Sequence, residues 1–453
     1  VAEAKKGFRF FPKIVYFFGR FKDFVLGTIP ATFLWLFGRI IKPENGIMLV
    51  EIKEKDLDKL GNKKVVFFIP ILTMGGGERV VSELTTNLSD SIEKVIVLLE
   101  NKISYSYKGK IICLNIPISN PFILRIFYFF VALYRFRKVL REEKPDYVIS
   151  FGTPANIISV LSGKRAILRV DNFLSSSSSI VYKILIKLLF NKAFKIVCVS
   201  KASAEDLIKN FKINKNKVKV IYNPLNIKRI QRLARESLDD KYVEIFKKPV
   251  VISMGRMSEQ KGQWHLIRAF SELKKTINGC QLVILGSGEL EEDLKRMTKG
   301  LGINDDVHFL GWQENPFKFL AKARVFVLSS LWEGLPYVIL EAMACGLPII
   351  SVDCKSGPRE ILAPGTDIRQ EVKSIEYAEC GILTSAFDWK KYKPNGLLIR
   401  SEETLGQAMA EVLSDKKMEN GFINKSRERA EDFSIENIIN KWEFLNHEDI
   451  EES

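Results

Sequence analysis

The stretch "VFVLSSLWEGLPYVILEAMACGLPIISV", residues 325–352, decides the fold. Its first part, "VFVLSS", is a short apolar run with β-branched residues, which predicts a buried strand. A loop that contains Glu333 leads to Pro336, and proline suits the first position of a helix. Gly346 is typical of a helix end, and "LPIISV" predicts the next strand. This order predicts a strand–helix–strand unit of a parallel sheet.

The same alternation continues outward in both directions. Short apolar runs separated by helical patterns occur earlier as "KKVVFFIPIL", "KVIVLLE", "DYVISFG", "RAILRV" and "KIVCVS", and later as "PVVISMGR", "CQLVILGSGE" and "DVHFLGW". Strands that are apolar throughout are typical of parallel sheets with helices on both faces. Asn223-Pro224 separates the two series. We therefore predict an α/β fold of two Rossmann-like, doubly wound domains that face a cleft, with ligands at the carboxyl ends of the strands.

Three segments follow from this pattern. Residues 56–225, joined by a C-terminal helix at 433–453, form the predicted first domain, and residues 226–432 form the second. Residues 1–55 precede them as an extension rich in Phe, Arg and Lys. Its longest uncharged run, residues 24–38, is shorter than the roughly 20 apolar residues that a spanning helix needs. We predict segments that lie in a membrane interface, and packing against the main body or a second subunit is the alternative.

The charge is distributed unevenly along the chain. Residues 1–250 contain 44 Lys and Arg against 22 Asp and Glu, whereas residues 251–453 contain 25 against 32. Because no nucleic-acid-binding motif accompanies the basic half, we predict an anionic membrane surface as its partner and no nucleic acid. Two basic and aromatic helical patterns, "PFILRIFYFFVALYRFRKVLR" and "IVYKILIKLLFNKAFK", support this prediction, and burial of their apolar faces on the sheet is the alternative.

Metal and disulfide sites are not expected. The six cysteines form no C-x-x-C pair, and most have apolar neighbours, so reduced buried thiols are predicted. The three histidines have no ligand spacing. We predict neither a metal nor another cofactor.

The residue types of the opening stretch indicate a phosphate-bearing ligand. The start of a helix offers free amides and a partial positive charge, and Gly334 permits close approach of a ligand to the backbone. Glu333 at that point suits hydroxyl groups attached to the phosphate, and Glu341 suits a second diol beyond it. Arg256 and Lys261, in "SMGRMSEQKG", supply cations that would stabilise a leaving diphosphate. Two acids on either side of a diphosphate are the arrangement expected for a nucleotide sugar.

These residues resemble the retaining glycosyltransferases of family 4, which have the GT-B architecture. The resemblance runs from about Lys63 to the last helix, and it depends on "GGGER" (75–79), "GRMSEQKG" and the Glu-x7-Glu signature of "EGLPYVILEAMACGLPII" in that order. It implies that Arg256 and Lys261 bind the donor diphosphate, that Glu333 contacts the donor sugar and that Glu341 contacts the ribose. It also implies that the amides of Gly334 and Leu335 contact the diphosphate or sugar and that Gly75, Gly76 and Gly77 lie close to the transferring sugar. Gly286 is a further donor-binding candidate. His308 and Gly311 are candidates on the side of the nucleobase, and an ordinary strand position is the alternative for His308.

The sequence departs from the family at one point. Many members carry a histidine in the first domain, near the transferring sugar, but the histidines here are at 265, 308 and 447. The corresponding segment, "ILRVDNF", offers Asp171, which either orients the acceptor or stabilises the reacting centre, or only caps a loop. Thr153 is a weaker candidate. The resemblance implies retention of configuration through attack on the same face, assisted by the leaving phosphate.

We therefore predict a retaining hexosyltransferase. It would move a hexose or N-acetylhexosamine from a nucleoside-diphosphate sugar, with UDP favoured, to a lipid-linked or cell-surface glycan, as a peripheral protein at the cytoplasmic face of a membrane. A GDP-mannose-dependent enzyme of the same fold is the first alternative. A Rossmann oxidoreductase fits less well, because "GSGELEE" is the nearest approach to G-x-G-x-x-G. A non-catalytic membrane scaffold does not explain the intact set of acids and cations. The oligomeric state stays open.

Overall fold

The computed structural model of the chain describes residues 38–40, 50–52, 63–73, 75–118, 122–394 and 396–444. One compact unit comprises residues 1–63 and 89–93, and the other comprises residues 64–88 and 94–453. The first unit contains an antiparallel pair of short strands, β1 (Gly38–Ile40) and β2 (Val50–Ile52). The rest of the predicted extension, residues 1–55, lies outside the described residues, so its membrane role stays a prediction.

The first large sheet has seven strands in the order β5-β4-β3-β6-β7-β8-β9. Strands β3, β6, β7, β8 and β9 pair in parallel, as do β4 and β5. Nearly every apolar run predicted as a strand is one, and β5 was not predicted. The strands are β3 (Lys64–Ile69), β4 (Glu93–Leu98), β5 (Lys110–Cys113), β6 (Tyr147–Phe151), β7 (Ala166–Val170), β8 (Lys195–Cys198) and β9 (Val218–Val220).

Helices connect these strands and bury the apolar side chains of the sheet. They are α1 (Gly76–Asn87), α2 (Phe122–Glu143), α3 (Thr153–Leu161), α4 (Leu174–Ser177), α5 (Ile180–Leu189) and α6 (Lys201–Phe211). The serines Ser175–Ser177 lie in α4, where the Ser175 amide donates to Asp206 Oδ2 at 2.9 Å and fixes the turn.

The second sheet also has seven strands, in the order β12-β11-β10-β13-β14-β16-β15. All neighbouring pairs are parallel except β15 with β16. The fold is therefore the predicted one, with two parallel Rossmann-like sheets. The strands are β10 (Val250–Met254), β11 (Gln281–Leu285), β12 (Val307–Gly311), β13 (Val325–Leu328), β14 (Ile349–Val352), β15 (Ile375–Ala378) and β16 (Gly381–Thr384).

The helices of the second half cover both faces of this sheet, except the last one, which packs on the first sheet. They are α7 (Ile227–Ala234), α8 (Asp240–Phe246), α9 (Gln263–Thr276), α10 (Glu291–Gly300), α11 (Phe317–Leu320), α12 (Tyr337–Ala344), α13 (Pro358–Leu362), α14 (Arg400–Ser414), α15 (Lys416–Glu431) and α16 (Ile435–Phe444). The helix of the opening stretch is α12. Pro336 is its N-cap and not its first residue, because its ψ of 100° is extended. Gly346 follows its end with a φ of +79°, as predicted for a terminating glycine.

The chain passes between the two sheets twice, at neighbouring points. The amide of Leu225, just before α7, donates to the Phe433 carbonyl at 2.7 Å, and the amide of Ile435 donates back to the Leu225 carbonyl at 3.2 Å. Helix α16 then packs against α1 of the first sheet. Its Trp442 ring lies 5.8 Å from the Arg169 guanidinium. In the part of the chain that the structure describes, none of the helices has the length and apolar character needed to cross a bilayer.

Candidate active site

Glu333 and Lys261 form a tight ion pair at the carboxyl end of the second sheet. The Lys261 Nζ lies 2.6 Å from Glu333 Oε1, and the Ser330 hydroxyl donates to the same oxygen at 2.6 Å. The side chains of Glu333 and Lys261 are only 8% and 18% exposed. Because the pair is mostly buried yet charged, it forms a fixed polar group at the point where parallel sheets of this type bind ligands.

The topology explains how residues 72 positions apart come together. Glu333 follows β13, Lys261 ends a 3₁₀ turn that follows β10, and β10 and β13 are parallel neighbours. Gly262, directly after the turn, has a φ of +55°. A Cβ at Gly262 would lie 2.5 Å from the Ser329 carbonyl oxygen, so only glycine allows the two loops to approach this closely.

Gly334 brings the first sheet into the same site. A Cβ at Gly334 would lie 1.9 Å from the carbonyl oxygen of Asp171, which follows β7. On the other side, a Cβ at Gly77 would lie 3.5 Å from Asp171 Oδ2. Three residues predicted separately, Gly77, Asp171 and Gly334, are therefore neighbours at the carboxyl ends of both sheets.

Asp171 is held by a buried cation that the sequence analysis missed. Arg169 is fully buried, and its Nε donates to Asp171 Oδ1 at 2.8 Å. Its other nitrogens donate to the Ile221 carbonyl and to Asn223 Oδ1, both at 2.7 Å. With these partners the guanidinium is anchored in the sheet, and the orientation of Asp171 is fixed.

Glu341 pairs with a second residue that the sequence analysis did not assign. Its Oε1 accepts a hydrogen bond from the Arg79 guanidinium, which belongs to α1 of the first sheet and lies 4.5 Å from the centroid of the Tyr337 ring. Burial lowers the pKa of Arg79, but the charge of Glu341 and further neighbours raise the pKa by more, so the net shift is upward. The carboxylate predicted to bind ribose therefore contacts a cation from across the cleft.

The predicted donor glycines lie at the start of a helix and at strand ends. Gly75 caps α1 and Gly76 begins it, with open space beside Gly76. Gly286 follows β11 with a φ of +122°, and its Cβ would lie 2.2 Å from the Gly255 carbonyl oxygen. The Gly286 amide donates to the Gly311 carbonyl at 2.8 Å. Gly255, Gly286 and Gly311 thus line the carboxyl ends of three neighbouring strands.

Two predicted residues do not join the Glu333–Lys261 pair. Arg256 is 74% exposed at its side chain and lies 3.2 Å from Glu289 Oε2. His308 lies near the beginning of β12, where its Nε2 is 2.7 Å from Gln281 Oε1, and burial lowers its pKa. His308 is thus placed as a strand residue away from the pair. Among the weaker candidates, Leu335 is buried and Thr153 begins α3.

A cavity of about 650 Å³ lies beside the pair, between the two sheets. Trp332, which precedes Glu333, lines it together with Phe173 and Ser356. The Trp332 ring stacks on that of Trp389, with 4.8 Å between centroids, and Trp389 is 58% exposed. A cavity with aromatic faces and hydroxyl groups is suited to a polar ligand with apolar faces.

The described residues contain no cluster of three or more His, Cys, Asp or Glu side chains arranged to hold a metal ion. Lys261, Arg79 and Arg169 bring positive charge to the described part of the site. That the reaction needs no metal stays a prediction.

Comparison with known proteins identifies the family. The model described as "Glycosyltransferase Family 4" matches residues 74–229, and the model "Glycosyl transferases group 1" matches residues 234–429. An uncharacterized glycosyltransferase of Methanocaldococcus jannaschii is 37% identical over 359 residues, which cover 75% of this chain and 88% of the relative. A Campylobacter jejuni enzyme named N-acetylgalactosamine-N,N'-diacetylbacillosaminyl-diphospho-undecaprenol 4-alpha-N-acetylgalactosaminyltransferase is 30% identical over 387 residues, 82% of this chain and 96% of that enzyme.

Solved structures agree on the fold. The crystal structure of Anabaena HepE in complex with UDP superposes with a TM-score of 0.66 at 17% identity, covering 84% of this chain and 99% of HepE. Sucrose-phosphate synthase from Thermosynechococcus elongatus superposes with a TM-score of 0.67 at 15% identity, covering 86% of this chain and all of the other. With the two parallel sheets, the paired acids and cations and both family models in agreement, the chain belongs to glycosyltransferase family 4 and has the GT-B fold.

Proposed function

We propose that this glycosyltransferase moves a hexose or N-acetylhexosamine from a UDP-sugar to a lipid-linked glycan, with retention of configuration. The observation that carries the proposal is the buried Glu333–Lys261 pair, 2.6 Å apart, beside the Gly334–Asp171 contact between the two sheets. A fixed ammonium is suited to the charge that develops on a leaving diphosphate, and a fixed carboxylate is suited to sugar hydroxyls.

Each residue has one role in this mechanism. Lys261 donates to the diphosphate as the bond from the sugar to the phosphate oxygen breaks, and Glu333 accepts hydrogen bonds from the sugar. Glu341 accepts hydrogen bonds from the ribose hydroxyls. Asp171, held by Arg169, faces the side from which the acceptor approaches and orients its hydroxyl. That hydroxyl attacks the face that the diphosphate leaves, and a phosphate oxygen takes its proton.

Arg256 is also assigned to the donor diphosphate in this proposal. Its 74% exposed side chain pairs with another exposed side chain, Glu289, so a bound diphosphate can draw the guanidinium away at little cost. Lys261, by contrast, already lies in the site. We therefore expect Lys261 to contribute more to binding than Arg256.

The choice of donor and acceptor draws on relatives. HepE was crystallised with UDP and with UDP-glucose, which favours UDP as the nucleotide of the donor. Two Campylobacter jejuni relatives are named as transferases that act on undecaprenol-linked sugars, which favours a lipid-linked acceptor and a peripheral location at a membrane. GDP-mannose is the alternative donor of the same fold.

A thermal-shift panel tests the donor. UDP, GDP and ADP are added at one concentration to the full chain, and a ligand at 100 times its Kd should stabilise the folded state by about 2.7 kcal/mol. We expect UDP to raise the Tm most. The Lys261→Gln variant should lose most of this rise, whereas Lys299→Gln, an exposed position on α10, should keep it. Each rise is measured against the variant's own Tm without nucleotide.

The outcomes separate the alternatives. A larger rise with GDP would assign the donor to a GDP-sugar, and no rise with any nucleotide would overturn the proposed site. Retention is tested separately by NMR, which compares the anomeric configuration of the product with that of the donor. A product of inverted configuration would contradict the same-face mechanism.

A further inference from the structure

Two helices of the first sheet, α2 and α5, expose large apolar side chains to solvent. On α2 they form a stripe at helical spacing, with Phe127, Phe130 and Tyr134 at 61%, 62% and 66% exposure. On α5, Ile184 and Leu188 are 54% and 64% exposed. Both helices pack against α3, so they lie on the same face of the sheet. We call the exposed apolar side chains of these helices the α2–α5 face: Leu124, Ile126, Phe127, Phe130, Tyr134, Ile180, Val181, Tyr182, Ile184 and Leu188.

An apolar surface of this size needs an explanation. Single exposed hydrophobic residues are ordinary, but ten large apolar side chains exposed on two helices of one sheet face are more than scattered single residues, and such surfaces mark interaction sites. The buried sides of the same helices already pack into the sheet, through Phe136 and Leu140 on α2 and Ile186 on α5. The α2–α5 face therefore adds nothing to the core of the first sheet.

The helices that carry the α2–α5 face are basic along most of their length. The sequence contains no Asp or Glu from residue 101 to residue 141 or from residue 172 to residue 204, although both stretches contain several Lys and Arg. The stripe on α2 continues into Arg137 and Arg141.

Two cavities extend this basic region. One of about 520 Å³ is lined by Phe130 and Tyr134 together with Arg137, Arg141 and Lys164. A second, of about 560 Å³, shares Lys164 and is lined in addition by Arg165, Lys192, Lys195 and Lys217. Neither lining contains an acidic residue.

We propose that the α2–α5 face docks onto an anionic lipid bilayer, with its aromatic and aliphatic side chains in the acyl boundary and the surrounding cations against the lipid phosphates. Amphipathic helices with aromatic residues on one side and Lys or Arg beside them bind membranes in this way. Basic residues near an anionic leaflet are attracted by its negative surface potential. A nucleic acid matches the cations but not the exposed apolar stripes, and a second copy of this chain would bring the same positive charge to the interface, so a lipid surface matches the face best.

The proposal rests on the proposed function only in that both place the protein at a membrane. It is independent of the donor site and of residues 1–55. It assigns the contact to particular side chains of the first sheet, and these can be changed without touching any residue of the Glu333–Lys261 site.

Vesicle flotation of the full chain tests the proposal. Vesicles are made of phosphatidylcholine alone or with about a third phosphatidylglycerol, and the native chain should bind the anionic vesicles more tightly, most of all at low salt. The triple variant Phe127→Glu, Phe130→Glu, Tyr134→Glu and the double variant Ile184→Glu, Leu188→Glu should each lower the partition coefficient at least tenfold. The matched control is Leu397→Glu, an apolar side chain 93% exposed at a distant position, which should bind like the native chain.

Further readouts keep the outcomes distinct. The UDP-induced rise in Tm should be the same in all variants, which shows that they fold and separates this proposal from the proposed donor. If both the α2 and the α5 variants float as well as the native chain, the α2–α5 face is not the membrane contact. Residues 1–55 would then remain as the predicted membrane segment. If the face binds a second copy of the chain, the native protein should sediment as a dimer and the variants as monomers. If it binds nucleic acid, the native protein should bind RNA but should not float with the vesicles. Either result would overturn the lipid assignment.

Discussion

Replacing Arg79 with methionine should destabilise the protein, because it leaves the Glu341 carboxylate buried beside the cleft without its cation. The two side chains are only 15% and 6% exposed. Removal of one partner from a buried ion pair costs about 3–5 kcal/mol. With an unfolding entropy of roughly 2 cal/mol/K per residue, a chain of this length changes its Tm by about 1 °C per kcal/mol. We therefore expect Arg79→Met to lower the Tm by about 3–5 °C.

A double-mutant cycle separates the pair from other effects of the substitutions. Glu341→Gln alone leaves a buried guanidinium without a counter-charge and should lower the Tm by a similar amount. The double variant leaves neither charge buried, so its Tm should be close to that of a single variant. Coupling energies of 0.5–3 kcal/mol are typical for contacting residues. Lys228→Met is the control, since Lys228 pairs with Glu436 at 2.8 Å but both side chains are mostly exposed, and its Tm should not change measurably.

UDP extends the same experiment to function. If the ribose hydroxyls donate to Glu341, bound UDP gives the orphaned carboxylate of Arg79→Met new partners, so the UDP-induced rise in Tm should be larger in that variant than in the native chain. Additive single effects would refute the buried pair. A smaller UDP-induced rise in Arg79→Met would refute the assignment of Glu341 to the ribose.

Three further predictions use the same purified protein. Glu333→Gln should lower kcat by about 10²-fold while the fold is kept, because it removes the charge of a preorganised polar partner, and unchanged turnover would exclude Glu333 from the site. Burial raises the pKa of Glu360, so the folded state binds the Glu360 proton more tightly than the unfolded state does. The free energy of unfolding therefore falls as pH rises from the ordinary pKa of glutamate toward the raised pKa of Glu360 in the folded state. Urea unfolding between pH 4 and 7 should therefore show Glu360→Gln gaining stability relative to the native chain as pH rises, and parallel curves would contradict this. Burial also raises the pKa of Cys198 and of Cys345 to about 12, so at pH 8 a thiol reagent should modify the partly exposed Cys113 first, as peptide mapping would show, and early modification of Cys198 would contradict its burial.

The two sheets were predictable because their strands are buried on both faces. Runs such as "KKVVFFIPIL" and "CQLVILGSGE" have no polar face, and a helix pattern follows most of them, which leaves a parallel sheet as the arrangement that buries them. The strand β5 (Lys110–Cys113) was missed because it is short and lies at the edge, where its side chains are only partly buried. Edge strands carry a weaker apolar signal than central ones.

The Glu333–Lys261 pair was predictable only in part. The residue types and the family resemblance indicated a shared site, but the hydrogen bond between them depends on β10 and β13 being neighbours, which is a property of sheet order and not of sequence spacing. The same dependence explains Arg79. In "GGGER" it has the appearance of an ordinary charged residue in the first turns of a helix, and only the approach of the two sheets brings it to Glu341.

Arg169 differs, because the sequence did contain a signal for it. It is the one charged residue inside the apolar run "AILRV", and a charge in such a run is costly unless a partner compensates it. Alternate residues of an extended segment point to the same side, so Asp171, two positions later, was the partner to expect. A buried charge needs a partner in an apolar strand, as for Arg169, just as it does in an apolar helix, as for Glu341. Asp171 therefore differs from a simple loop cap, because a capping carboxylate needs no fully buried guanidinium with two further acceptors to hold it. Such an anchor is what a residue needs when its orientation toward a second molecule matters, which favours the acceptor-orienting role of Asp171.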